Sequence, residues 1–569
     1  MPKKHISNKK TFAIAVLIVL GIVLYGRTAS YNFVWDDVPL YLNKTNYPED
    51  GRMKNLAKFW KPGKMPMFAP VTYTVWSVLA ALSTPDRQNK AGLSPTLFHL
   101  TNIIVHIANS ILVFLILLYL FKHNLAALAA AMIFLLHPIQ VESVAWVSEL
   151  RGLLAGLFGF AALLTFVRQK VKISGSKYSL IVFLLILSFL SKPSGIVFPF
   201  IILAVDFFYI KSEKIRLRNN AIIMSFLTII FFILSVSAET HASKIIKISL
   251  IDRLLLPLHS FVFYLYKTII PFNLVAVYGK TPEYLINSNE LYIYAGIFVI
   301  LAIILYFYRH KLSKYGSALI IAFIGILPTA GLISFYYQTF SNVADRYFYI
   351  SMFGIAIILT LIFSTIKTKQ AKLIPGFLAL LLFILSWQQV PSWASEYKHW
   401  DNIIKNSSIE IPQAYMGRGE ELTQKGKYGR AIEDFTKAIN LNPKEPLYYY
   451  NRANVYLDLK QYSMAIKDYD SALAKNDKLL DAYVNRGIAY SESDLQNEAI
   501  SSFKKALIIN PNQSDVYNYI AISYALLKQY DSTKIYLKKA LAINPNDADA
   551  KENLKLLEES TNERKKQNE

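Results

Sequence analysis

The chain has 569 residues, is 54% hydrophobic and 14% aromatic, and carries a formal net charge of +22 with no cysteine. That length excludes one compact domain, and the lack of cysteine excludes a disulfide framework and thiolate chemistry. The basic excess points to membrane topology rather than nucleic acid, because Lys and Arg gather on the cytoplasmic side of membrane proteins and no nucleic-acid motif occurs.

Runs such as 98–121, 178–191, 220–238, 291–308 and 346–366 are almost free of charge. About 17 to 25 apolar residues cross a bilayer as a helix. The N-terminus, MPKKHISNKK, precedes the first such run with no clean small-residue cleavage site, the pattern of an uncleaved signal anchor with residues 1–10 cytoplasmic. The first helix, 11–29, exits, and residues 30–96 form a first extracytoplasmic loop. That loop opens with YNFVWDDVPL, which sets the adjacent carboxylates Asp36 and Asp37 just past the span. Residues 68–83, with Trp76, read as a membrane-surface helix.

Further spans follow near 98–121, 124–138, 151–167, 178–191, 196–210 and 220–238, with outer loops beginning near His137, Lys192 and Glu239. The segment 254–270 reads as interfacial or re-entrant, since a full span there would put Arg309, Lys311 and Lys314 outside. Spans near 291–308, 316–335, 346–366 and 373–390 bring the total to about eleven. The remaining basic clusters then fall inside: Lys122; Arg168, Lys170, Lys172 and Lys177; Lys211, Lys214, Arg216 and Arg218; Lys367, Lys369 and Lys372. The polytopic domain is 11–390, a linker runs over 391–411, and 412–569 lie outside.

Residues 412–569 are polar and periodic. Asn442, Asn476, Asn510 and Asn544 are spaced 34 apart, and proline follows three of them, at Pro443, Pro511 and Pro545, with Asp477 in the remaining place. Ala431, Ala465 and Ala499, then Phe435, Tyr469 and Phe503, then Tyr415, Tyr449, Tyr483 and Tyr517 keep that interval. This is the tetratricopeptide pattern, in which small residues let two helices approach and aromatics fill the gaps between repeats. Four repeats span about 412–547, with a capping helix after them, even though Thr533 and Leu537 depart from the pattern in the fourth. Such a solenoid offers a concave surface for an extended peptide or another protein, or serves as a spacer. The predicted class is all-α, a polytopic membrane domain followed by an α-solenoid.

Five membrane stretches, FVWDDVPLYLN, HPIQVESVAWVSELRGLLAGLF, LSKPSGIVFPFIILAVDFF, RLLLPLHSFVFYLYKTIIPFNLVAVY and ADRYFYISMFG, occur in this order before the repeats. Together they resemble the bacterial relatives of the transmembrane and tetratricopeptide repeat-containing O-mannosyltransferases, which are GT-C glycosyltransferases. The resemblance implies a GT-C-type membrane domain in a bacterial inner membrane and a polyprenyl-phosphate sugar donor in the outer leaflet, with mannose as the sugar. It also implies an acidic pair in the first outer loop and repeats that meet a protein or glycan acceptor on the same side. Many relatives have Lys-Asp where this chain has Arg151 and Gly152, which weakens any role assigned there.

The residues themselves suggest a matching division of labour. An acceptor hydroxyl loses its proton as it attacks, and Asp36 or Asp37 is placed to take it at the membrane surface. The leaving lipid phosphate needs fixed cations, for which Arg346 is the first candidate and Lys192 and Arg253 the next. Glu142, His137 and Tyr349 are candidates for the sugar or the acceptor, while Glu149 and Arg151 read as a structural ion pair. His99 and His106, seven apart on one helical face, read as packing or hydrogen-bonding residues. No metal motif occurs, and neither a metal nor another cofactor is expected. A membrane-anchored scaffold acting only through its repeats is the competing reading, although a tether needs one span rather than eleven. A transporter would require ionisable residues at mid-membrane depth.

Overall fold

The computed structural model describes residues 2–49, 51–65, 67–86, 91–169, 175–238, 248–368 and 370–568. Lys170, Lys172 and Lys369 of the expected cytoplasmic clusters, and the start of the outer loop expected at Glu239, lie outside the described residues. The chain divides into two compact units, residues 1–409 and 410–569, and the regular elements among the described residues are all helical.

In the first unit, seven helices among the described residues are long and apolar enough to cross a membrane: Asn8–Ser30, Thr96–Phe121, Val147–Val167, Pro193–Ile210, Glu290–Phe307, Arg309–Thr329 and Ala371–Trp393. Asn124–Leu136 and Pro138–Ala145 make an eighth as a pair bent by 52°. The bend has a local cause. Proline disfavours helical backbone in the residue before it, and His137 is extended at φ −69° and ψ 132°. Its Nδ1 accepts the Ile139 N–H at 3.2 Å, so its Nε2 carries the proton and donates to the Thr268 carbonyl at 3.0 Å. The shorter apolar helices Gly175–Ser191, Leu217–Ile233 and Met352–Ser364 occupy the other places where spans are expected. The protein is an integral membrane protein.

Leu250–Ile269 covers the segment expected to be interfacial; it carries Asp252, Arg253 and Lys267 and is not among the spanning candidates. Pro70–Leu82 stands where the surface helix is expected and is pinned by Thr72, whose hydroxyl donates to the Ser191 carbonyl at 2.9 Å. The expected linker 391–411 is not an open chain. It contains the end of the turn Val390–Trp393 and the helix Glu396–Asn406, whose buried His399 and Ile403 fix it to the first unit. Its amphipathic pattern is too short to distinguish from a polar connector without knowing what covers it.

The second unit is the solenoid. Helices Pro412–Gln424 and Tyr428–Leu441, Pro446–Asp458 and Tyr462–Lys475, Leu480–Glu492 and Gln496–Ile509, and Ser514–Leu526 and Tyr530–Ile543 form four antiparallel pairs, followed by Ala548–Asn568. The 34-residue asparagine has a definite role at each repeat boundary. The Oδ1 atoms of Asn442, Asn476, Asn510 and Asn544 accept the N–H two residues on, at 3.4, 3.1, 3.1 and 3.1 Å. This side-chain turn ends the helix whether or not proline follows, so Asp477 is tolerated. Gly419 and Gly487 face Phe435 and Phe503 so closely that an added Cβ would come within 2.8 and 2.4 Å of those rings.

Glycine also sets helix spacing in the membrane unit. A Cβ on Gly354 would stand 2.5 Å from the Ala318 carbonyl oxygen, so Met352–Ser364 and Arg309–Ile326 meet backbone to backbone there. Gly354→Val should therefore force these helices apart at a cost of about 1–3 kcal/mol. Detergent-solubilised protein would then melt several degrees lower, and an unchanged melting temperature would show that the contact is not tight.

Candidate functional site

The two carboxylates of the loop after the first helix have different surroundings. Asp37 is fully buried and held by three donors. Its Oδ1 accepts the Ser148 hydroxyl and, at 2.9 Å, the Ser148 N–H, while Oδ2 accepts the Val34 N–H at 3.0 Å. It thereby ties this loop to the turn between Trp146 and Leu150. Burial, with a smaller push from Asp36, raises its carboxyl to about 7 against the opposition of these hydrogen bonds. Asp36 is half-buried, and its carboxylate accepts no hydrogen bond from the described residues. Burial raises its carboxyl as well, and the guanidinium groups of Arg151 and Arg346 pull it down.

Those two arginines belong to a buried ionic cluster. Glu149 receives Lys192 Nζ at 2.8 Å and lies 3.9 Å from both Arg151 and Arg346. Glu142 accepts both the Arg346 backbone N–H, at 3.2 Å, and its guanidinium. Arg151 donates to the Ser148 carbonyl at 2.8 Å and lies 4.2 Å from the ring centre of Tyr41. Arg346 is packed over aromatic faces, 4.2 Å from Tyr337, 4.8 Å from Tyr347, 5.3 Å from Trp146 and 5.5 Å from Trp35. Three cations thus meet two carboxylates, Glu142 and Glu149, which leaves one positive charge in excess before Asp36 is counted. Beside them Asp345 accepts the Tyr278 hydroxyl at 2.7 Å, and burial together with Glu142 keeps its carboxyl well above the usual range. No group of three or more His, Asp or Glu among the described residues is arranged to hold a metal ion.

Of the residues singled out from the sequence, Asp36, Asp37, Glu142, Lys192 and Arg346 come together with Glu149 and Arg151. The others do not. Arg253 donates to Ser334 Oγ at 2.8 Å. It lies eleven residues, or about 16 Å of helix, from Tyr264, whose hydroxyl bonds Ala344 next to the cluster. His137 spends both ring nitrogens on the bend. The Tyr349 hydroxyl is committed to His106 and to Asn109, each at 2.9 Å, in the helical interior. Glu149 and Arg151 do form a pair, but Lys192 is the closer partner of Glu149. Sequence reading overlooked Asn102, whose amide donates to the Val144 and Trp146 carbonyls at 3.2 and 2.8 Å and so holds the turn that carries Trp146. The signal was present: His99, Asn102, His106 and Asn109 form one polar stripe on an otherwise apolar helix.

The fold and cluster define an integral membrane protein, helical throughout the described residues, with a tetratricopeptide solenoid and a buried ionic site beside the loop that follows its first helix. Models of the tetratricopeptide repeat family match residues 419–460, 446–479, 480–513 and 514–547. The chain is similar to proteins named protein O-mannosyl-transferases. It is 29% identical over 188 residues to protein O-mannosyl-transferase TMTC3 of Homo sapiens, covering 32% of this chain and 20% of that one. It is 23% identical over 466 residues to protein O-mannosyl-transferase F38B6.6 of Caenorhabditis elegans, covering 78% of this chain and 64% of that one. The chain thus spans less than two thirds of the length of either relative. Among solved structures, MamA is 23% identical with a TM-score of 0.25, covering 27% of this chain and 82% of MamA.

The folded protein holds the Asp37 proton more tightly than the unfolded chain does, because burial lifts that carboxyl from 3.8 to about 7. The stability this contributes is complete below the unfolded value and is lost as pH rises through about 7. The melting temperature of the wild type minus that of Asp37→Asn should therefore fall across this interval. A difference independent of pH would show that Asp37 keeps an ordinary carboxyl.

Proposed function

We propose that the protein is a membrane glycosyltransferase that moves a sugar, mannose by homology, from a polyprenyl phosphate to an extracytoplasmic protein or glycan acceptor. The observation that carries this reading is the unequal pair in the first outer loop. Asp37 is used up in holding the loop, whereas the Asp36 carboxylate has no hydrogen-bond donor of its own among the described residues and faces two guanidinium groups. In this reading Asp36 takes the proton of the acceptor hydroxyl as that oxygen attacks the anomeric carbon. The bond from that carbon to the phosphate oxygen breaks, and the lipid phosphate leaves with the electron pair. Once Asp36 has taken that proton, the cations around Glu149 are left with one positive charge in excess, which suits the phosphate as it departs.

The scaffold reading explains the ionic cluster poorly. Burying charges is costly unless they are paired, and a tether has no use for five such groups among buried aromatics. The names of the homologues support the enzyme reading. The solenoid supplies the surface that would hold a protein or peptide acceptor, and the basic clusters support an inner-membrane orientation with the N-terminus inside and the repeats outside.

Asp36→Asn should lower transfer from polyprenyl-phosphate mannose by about 10²–10⁴-fold while leaving membrane insertion and melting temperature unchanged. Near-normal turnover in this variant would reject Asp36 as the base. A reporter fused after Glu569 should read extracytoplasmic, and a cytoplasmic signal would remove the repeats from the side where the donor sugar is expected.

A further inference from the structure

The Asp36 carboxylate receives no hydrogen bond from the described residues, so its direction must be set by the backbone on either side of it. On the C-terminal side Asp37 is clamped to Ser148. On the N-terminal side stands Trp35, with φ +57°, in the left-handed region. A bulky side chain there is an outlier that the surrounding structure has to enforce. The seven other non-glycine residues with positive φ among the described residues are all Lys, Asn or Asp, and Trp35 is the one aromatic.

Two groups of contacts enforce it. The Trp35 N–H donates to Glu396 Oε1 at 2.5 Å, a charge-assisted hydrogen bond across 361 residues of chain. Nearby, the Asn32 N–H reaches the Ala394 carbonyl at 3.5 Å. The indole is stacked on Trp146 with centroids 4.8 Å apart and planes inclined by 23°, and His399, on the helix that carries Glu396, lies 5.4 Å from it. Trp393 stacks in turn on Trp146 at 5.9 Å. The segment after the last span therefore acts on the backbone immediately before Asp36.

We propose that Glu396 is a positioning residue for Asp36 that acts through Trp35, by accepting its N–H and holding it in the left-handed conformation. The role assigned to Asp36 is the one proposed above, and the inference rests on it. A left-handed residue turns the next peptide plane, so returning Trp35 to an ordinary extended backbone would swing Asp36 away from Arg151 and Arg346 while Asp37 stays clamped. Glu396 touches no reacting group in this arrangement.

The test uses the full chain in lipid nanodiscs with polyprenyl-phosphate mannose as donor. Glu396→Ala should lower kcat by roughly tenfold to a hundredfold with the donor KM unchanged. Glu396→Gln, whose amide oxygen still accepts the N–H, should stay within about threefold of wild type. Equal losses in the Ala and Gln variants would overturn the positioning role in favour of a general structural one. Hydrogen exchange across residues 33–38, measured without substrate, should be faster in Glu396→Ala than in wild type, and unchanged exchange would overturn the clamp whether or not transfer is detected. Wild-type protein that transfers no sugar, with the exchange difference intact, would instead defeat the transferase reading and leave the Glu396 clamp standing.

Discussion

The structure of the first unit depends on the neutralisation of charge where water is excluded. Glu149 is 1% exposed and Arg151 3% exposed. Either alone would be too costly to bury, and together with Lys192, Glu142 and Arg346 they become tolerable. The condition binds together parts of the chain that are otherwise unrelated. Lys192 follows the apolar helix Gly175–Ser191 and Arg346 precedes the apolar helix Met352–Ser364, and both must reach the turn after Trp146. The bent pair of helices, the Asn102 amide and the Asp37 clamp all serve to hold that turn in place. Helix packing brings the elements near each other, and the ionic cluster decides their register.

Within this frame the adjacent aspartates take different roles because their surroundings differ. Three hydrogen bonds make Asp37 part of the wall. Asp36 lies half-buried against two cations and takes its orientation from its neighbours in the chain. A catalytic base must be free to accept a proton and must also be aimed, and the two requirements conflict if the aiming is done by hydrogen bonds to the base itself. Here the hydrogen bonds are made by Asp37 and by the Trp35 backbone, one residue to either side. Trp35, Trp146, Trp393 and His399 form an aromatic layer beside this arrangement, and burial next to Arg346 pushes the His399 imidazole down to about 3, so it stays neutral.

The solenoid follows simpler rules. Its aromatics and its small residues, such as Gly419, Ala453, Gly487 and Ala521, repeat every 34 residues because each repeat buries the same face against the next. The arginines show how far the repetition is kept. Arg418 pairs with Asp434 and Arg452 with Asp468, each through two hydrogen bonds. Arg486 finds Ser502 at the equivalent place and turns to Asp470 instead. A polar tie can drift in this way, while the place opposite the packed aromatic stays small, as Gly419, Ala453, Gly487 and Ala521 in turn.

The sequence by itself determined the class of protein, the presence of several apolar membrane helices, the repeats and most members of the ionic cluster. Hydropathy and a 34-residue period are local, additive signals, and acidic or basic residues at the outer ends of spans are conspicuous. It did not separate Asp36 from Asp37, and it placed Arg253, His137 and Tyr349 with the wrong neighbours or with none. Proximity to the outer membrane face is a one-dimensional property that many residues share, whereas a site is defined by contacts across hundreds of residues. Nor could it reveal Glu396, which reads as one more polar residue after the last span. Only the tertiary structure brings that carboxylate to the Trp35 N–H, because the packing of the final helix of the first unit against the first outer loop is fixed by shape and aromatic stacking, and no local pattern encodes it.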